Sequence, residues 1–308
     1  MIRAIAIHPE SFNRKTLEHS SSSLTQLLYR LTDRPVCLFD MAGESIKSSN
    51  SLIKKLDINT KSMVQDRLKN LESNRKIIKT PLMSKKVPKT PKNWVEELVL
   101  LHKELEFSLM VAPQNVLDDH ADIISQINSI SIEESFKHGI FDESKTTNVG
   151  YVNSSNFQSV IEGLSSIAKK IQIIDPYISH NLLDHSKDGQ FDEFLTMVSE
   201  FKSKYNRMIE IEILEIHSST KDQDQYRKNK NSNREYIIEK FQNIFKKINS
   251  EDLQIEVFIW SKQDNLDKPH DRYLITDRAG LGIQSGTDMS RKTKTSWNHI
   301  DYSETEKI

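Results

Sequence analysis

One cysteine, Cys37, serves the whole chain, and that scarcity removes two chemistries at once. No internal disulfide can form and no cysteine-based zinc site can be assembled, so a reducing, cytoplasmic compartment is the expectation. Glycine and proline are also scarce, eight of each in 308 residues. That excludes collagen-like and low-complexity architectures and favours long regular elements. Long apolar runs are missing as well. The run over residues 2–7 is too short for a signal peptide, and no later run approaches the roughly 18 residues needed to cross a bilayer. There is no Gly-x4-Gly-Lys-Ser/Thr loop, no His-Glu-x-x-His and no Gly-x-Ser-x-Gly. Gly280-Leu281-Gly282 lacks the third glycine of a dinucleotide fingerprint.

What is present is an ordinary globular composition, 36% apolar and 28% charged, at a length that favours two domains. The net charge of −1 hides an uneven distribution: residues 47–92 carry thirteen basic against three acidic groups, and 93–149 carry three against eleven. The basic segment includes Lys54, Lys55, Arg75, Lys76, Lys85 and Lys86, the candidate nucleic-acid ligands. Its first part reads as helix; Pro81, Pro88 and Pro91 make the rest extended and exposed. It can track a phosphodiester backbone or lie on an anionic phospholipid surface, and a solvated face paired with the acidic neighbour is the competing reading. Trp94 is the one aromatic it offers for base stacking.

Hydrophobic periodicity orders the rest. Residues 2–7 read as a strand, 15–31 as a helix with Leu24, Leu27, Leu28 and Leu31 on one face, and 35–40 as a second strand, a βαβ beginning. Its strands end at His8 and Asp40, at the sheet edge where α/β sites are built, although caps and turns use the same residues. A helix over 94–105, a strand over 107–111 and a helix over 117–130 follow. The polar stretch 142–156 marks the boundary between an N-terminal α/β domain, 1–148, and a second α/β domain, 149–308. In the second, a helix stripe (Phe157, Val160, Ile161, Leu164, Ile167) leads to a strand over 171–175, a strand around Ile209, Ile211 and Ile213, a helix over 236–248 and a strand over 255–260. Residues 219–235 read as a charged, mobile crossover.

The chemistry concentrates at Lys268-Pro269-His270-Asp271-Arg272-Tyr273-Leu274-Ile275-Thr276-Asp277. His270 and Arg272 share a strand face, and Asp277 closes the strand. Six residues later comes Gln284-Ser285-Gly286-Thr287. This spacing resembles the phospholipase D superfamily motif, histidine-x-lysine-x4-aspartate followed by glycine-serine-x-asparagine, with Arg272, Gln284 and Thr287 departing from it. Residues 150–308 are more similar still to the C-terminal phospholipase D-like domain of MIT-domain-containing proteins, on Ile174-Asp175-Pro176-Tyr177-Ile178 and His270-Asp271-Arg272. A second literal match, His185 to Asp192, encloses Asp-Gly-Gln-Phe, which does not suit a buried strand.

The superfamily resemblance implies a metal-independent phosphodiesterase without cofactor. His270 attacks phosphorus, Arg272, Ser285 and Thr287 hold the non-bridging oxygens, and Asp277 orients the histidine or tunes its pKa. A second histidine must protonate the leaving group, supplied by a homodimer's other His270 or by His8. Asp301, Glu304 and Glu306 trail the motif as further acids. The basic segment favours DNA or RNA as substrate, and prokaryotic antiviral defence is a fitting setting. The resemblance to the MIT-associated domain implies instead a non-catalytic module that binds phospholipid headgroups or other phosphates.

Overall fold

The computed structural model describes residues 3–12, 14–33, 36–41, 43, 46–47, 57–105, 107–135, 148–151, 153–175, 178, 190–200, 207–215, 230–248, 253–261, 272–284 and 294–305. The chain divides into two compact α/β units, Met1–Lys145 and Thr146–Ile308.

The first unit is built on a parallel sheet of β1 (Arg3–Ile7), β2 (Val36–Met41), β3 (Ile77–Thr80), β4 (Leu109–Ala112) and β5 (Ser129–Ser131), in the order β3-β2-β1-β4-β5. Every residue of β2 and β4 is buried, as expected for central parallel strands covered on both faces. Register separates the faces: Ile5 lies beside Leu38 and beside Leu109, and Ile7 beside Val111. These residues form one core with Leu27, Leu28 and Leu31 of α1 (Arg14–Asp33) and with Val64, Leu68 and Leu71 of α2 (Ile58–Ser73). The α2 residues recur at the helical period. Asp57 caps α2, accepting from the amides of Asn59 and Thr60 at 3.1 and 3.0 Å.

The far end of α2 closes as a Schellman motif. The Lys76 N–H donates to the Leu71 carbonyl at 2.9 Å and the Arg75 N–H to the Glu72 carbonyl at 3.0 Å. Arg75 takes the left-handed position, φ 51°, that glycine usually fills. β3 follows directly, a strand that the lysine-rich sequence around it concealed. α3 (Pro91–Leu105) crosses to β4. The helix expected over 117–130 is two short ones, α4 (Gln114–Asp119) and α5 (Ala121–Ile124), followed by β5. His120 interrupts them at φ −131°, and β5 completes the sheet edge.

The second unit holds a seven-stranded mixed sheet, β6-β12-β11-β10-β7-β8-β9. Its parallel part is β7 (Lys170–Ile174), β8 (Arg207–Glu215) and β9 (Leu253–Ser261). The antiparallel part is β10 (Arg272–Thr276), β11 (Ala279–Ile283), β12 (Lys294–Asp301) and the edge strand β6 (Asn148–Tyr151). β6 lies within the stretch expected to be a linker. α6 (Ser155–Ser166) starts at Ser154, whose hydroxyl accepts from the Phe157 amide at 3.3 Å. α7 (Gln190–Glu200) and α8 (Lys230–Lys247) supply the crossovers; α8 begins inside the segment expected to be an irregular crossover, of which 219–229 lie outside the described residues. A four-residue helix, α9 (Tyr302–Thr305), follows β12. It explains one glycine of β11: a Cβ on Gly280 would stand 2.8 Å from the Thr305 methyl. Among the described residues no helix is long and apolar enough to cross a membrane.

Candidate functional site

Asp175 directly follows β7, and β10 runs antiparallel beside that strand with Tyr273 opposite Ile174. Continuing that register brings Arg272 to Asp175. The guanidinium Nε lies 3.5 Å from the Asp175 carboxylate, which is fully buried, while Arg272 keeps 19% of its side chain exposed. The other flank is held just past β11, where Arg272 Nη1 donates to the Gln284 carbonyl. Gln284 is itself fixed to β12: its N–H donates to the Ser296 carbonyl at 2.9 Å, and its side-chain oxygen accepts from the Ser296 hydroxyl. At the same edge, Lys294 on β12 pairs with Tyr151 on β6 and holds its ammonium 6.0 Å from the ring centre. The guanidinium is thus preset from two sides in a partly exposed position, where it is suited to an anion.

The sequence pointed to Arg272 and Asp175 but missed the bracing by Gln284 and Ser296. A backbone carbonyl leaves no sequence signal. β12 alternates buried Thr295 and Trp297 with less buried Ser296 and Asn298, a pattern that could have located it. Four other members of the motif region, His270, Asp271, Ser285 and Thr287, lie outside the described residues, as do Lys54 and Lys55.

Asp277 is not brought to this edge. It follows the opposite end of β10, roughly 15 Å from Arg272 at strand rise. There its Oδ1 accepts from the amides of Lys169 and Lys170 at 2.8 and 3.5 Å, and its Oδ2 lies 3.5 Å from Arg278 Nε. The expected role of Asp277, orienting a histidine near Arg272, gives way to tying the β10–β11 turn to the start of β7. Asp192, from the second literal motif, pairs with Lys247 at 3.1 Å. Asp301 lies 3.5 Å from His299 Nε2, at the end of β12 away from Ser296.

In the first unit two expectations are corrected. Lys76 is buried at 3% exposure, and its ammonium donates to the carbonyls of Thr32 at 2.6 Å and Leu31 at 3.4 Å, the last turn of α1. It closes a helix C-terminus, where a cation is favoured, and does not face a phosphate chain. His8 is fully buried. The Glu10 N–H donates to its Nδ1 at 3.1 Å, so Nε2 carries the proton and donates to the Pro91 carbonyl at 3.2 Å. Burial lowers its pKa to about 4; the Pro91 bond opposes this and His120 adds to it. A neutral imidazole with both nitrogens engaged is not a leaving-group acid. Asp40, likewise fully buried, accepts from the Ile46 amide at 3.4 Å. Arg75, Lys85 and Lys86 are exposed.

Among the described residues no three of His, Cys, Asp and Glu gather in a group that could hold a metal ion. Compared with known proteins, the chain matches no protein-family model, no curated protein and no solved structure.

Proposed function

We propose that the second unit is a phospholipase D-like domain acting as a metal-independent phosphodiesterase, with DNA or RNA as substrate. The observation that carries this reading is the guanidinium of Arg272, set at the carboxyl end of β7 by the buried Asp175 carboxylate and the Gln284 carbonyl. His270 stands two residues before it in the chain. In the proposed reaction a neutral His270 nitrogen attacks phosphorus and the P–O bond to the leaving group breaks, giving a phosphohistidine. Water then attacks that phosphorus, releasing the phosphate product and restoring the imidazole. Arg272 stabilises the charge on the non-bridging oxygens. Because His8 is sealed and neutral, a second copy of His270 in a homodimer is the proposed acid. The exposed lysines of the first unit favour nucleic acid over lipid as the substrate class.

A second reading has its own observation. The charge of Arg272 is already matched by Asp175, which suits recognition of a phosphate or phospholipid headgroup without turnover.

The test is cleavage of single- and double-stranded DNA and RNA by purified protein in chelator, beside a His270→Ala variant whose fold is verified by circular dichroism. Cleavage by wild type and not by the variant supports the enzyme. Absence of cleavage from pH 5 to 8, with phosphate or liposome binding that is lost in Arg272→Ala, replaces it with the binding module.

A further inference from the structure

Residues 81–92, which run from the end of β3 into the first turn of α3, contain four lysines, Lys85, Lys86, Lys89 and Lys92, and no acidic residue. All four are exposed. A segment of this composition is expected to be a solvated coil, yet its backbone is pinned. Glu97, on α3, is 2% exposed, and its carboxylate accepts from the Met83 N–H and from the Ser84 N–H, the latter at 3.3 and 3.2 Å to its two oxygens. A buried carboxylate is tolerated only when hydrogen-bonded, so this clamp fixes where the turn lies. Lys85 takes a left-handed φ of 58°, its N–H donates to the Leu82 carbonyl at 3.3 Å, and the Ser84 hydroxyl donates to the Lys86 carbonyl at 3.1 Å. Thr90 ends the loop portion as the cap of α3, its hydroxyl accepting from the Asn93 amide at 3.2 Å. Pro81, Pro88 and Pro91 restrict the intervening dihedrals.

We infer that residues 81–92 are a preshaped contact for the phosphodiester backbone of a nucleic acid, with Glu97 as its positioning residue. Four ammonium groups, three on an ordered loop and Lys92 on the first turn of α3, lose less conformational freedom on binding than the same groups on a coil, so more of their attraction appears as affinity. The loop carries no aromatic side chain, and Trp94 beyond it is buried. Recognition is therefore of backbone charge, without base stacking. A membrane surface is the poorer fit, because Val87 is the single large apolar side chain exposed between 81 and 92, too little to anchor in lipid. This inference goes beyond the proposed chemistry of the second unit and does not depend on turnover there.

The test uses the full chain carrying His270→Ala, in chelator, so that binding is read without cleavage. Fluorescence anisotropy with a labelled 30-nucleotide DNA, single- and double-stranded, is followed from low to moderate salt. The triple variant Lys85→Ser, Lys86→Ser, Lys89→Ser is expected to bind at least about tenfold more weakly near 0.1 M salt. Its plot of log affinity against log salt should be shallower by roughly 2–3 on duplex. Glu97→Ala, which retains every lysine, is expected to flatten the same slope, and Glu97→Gln, which keeps an acceptor for the amides, to restore it. A salt slope unchanged in the triple variant overturns the inference. So does binding to phosphatidylserine vesicles with none to nucleic acid. An unchanged slope in Glu97→Ala alone overturns the positioning role.

Discussion

Replacing Lys76 by methionine keeps the aliphatic stem and removes the ammonium that reaches the end of α1. Two acceptors are lost from that charge, Thr32 O at 2.6 Å and Leu31 O at 3.4 Å. A hydrogen bond to a charged group contributes about 1.5–3 kcal/mol, and a partly buried cation at a helix C-terminus up to about 2. Against this stands the cost of holding an ammonium at 3% exposure, which methionine does not incur. The longer bond adds little, so the net loss is about 2 kcal/mol. For a unit of this size that is a fall of roughly 4–8 °C in melting temperature. The assay is a thermal melt by circular dichroism, with Lys79→Met as control. Lys79 is exposed and lies 3.8 Å from Glu72, so its replacement should stay within about 0.5 kcal/mol. Nucleic-acid binding by folded Lys76→Met should keep the wild-type salt slope. Equal stability of the two variants, or a shallower slope for Lys76→Met, would refute the helix-closing role.

Other outcomes follow from single groups. His8 has its folded pKa depressed from 6.5 to about 4, so the unfolded chain binds the proton first and stability falls as pH drops from about 6.5 toward 4. His8→Gln should remove about 2 kcal/mol of that acid-dependent loss, read from urea denaturation at pH 7 and pH 4.5. Arg75→Gly should relieve the left-handed φ of 51° and raise stability by about 1 kcal/mol; a lower melting temperature would contradict this. Asp277→Ala should cost about 1–3 kcal/mol by unbinding the Lys169 and Lys170 amides, with hydrogen exchange quickening at those two positions before any other. Arg272→Lys should weaken phosphate binding almost as much as Arg272→Ala, since an ammonium cannot reproduce the planar fork that spans Asp175 and Gln284.

The elements that were legible in the sequence share a physical property: their apolar residues form a long, regular pattern. Leu27, Leu28 and Leu31 disclosed α1, Phe157, Ile161 and Leu164 disclosed α6, and the run ending at Asp175 disclosed β7. β3 escaped because Ile77 and Ile78 are its only apolar residues and stand among lysines, and β5 because three residues carry no period. Lys76 could not be separated from Lys79 by counting charge. What distinguishes them is the end of α1, more than forty positions earlier in the chain. Glu97 was hidden for the same reason, an acid in an acidic stretch whose partners are backbone amides of the preceding loop. At the candidate site, sequence spacing located Arg272 and Asp175 and placed Asp277 at the close of β10, but gave Asp277 a role beside the histidine that this far end does not allow. A motif gives order along the chain, and strand direction decides which end each residue occupies.

The mixed sheet of the second unit also has a kinetic meaning. β10 and β11 are joined through Asp277 and Arg278 alone, and β12 follows β11 as its next neighbour, so this meander closes only short loops. β6, by contrast, must find β12 from the other end of the unit, with Tyr151 pairing to Lys294. Local closure is entropically cheap and distant closure is slow, so the meander can serve as the nucleus while β6 is the last strand to dock. During synthesis the edge strand emerges first and waits for its partner until nearly the whole unit has been made.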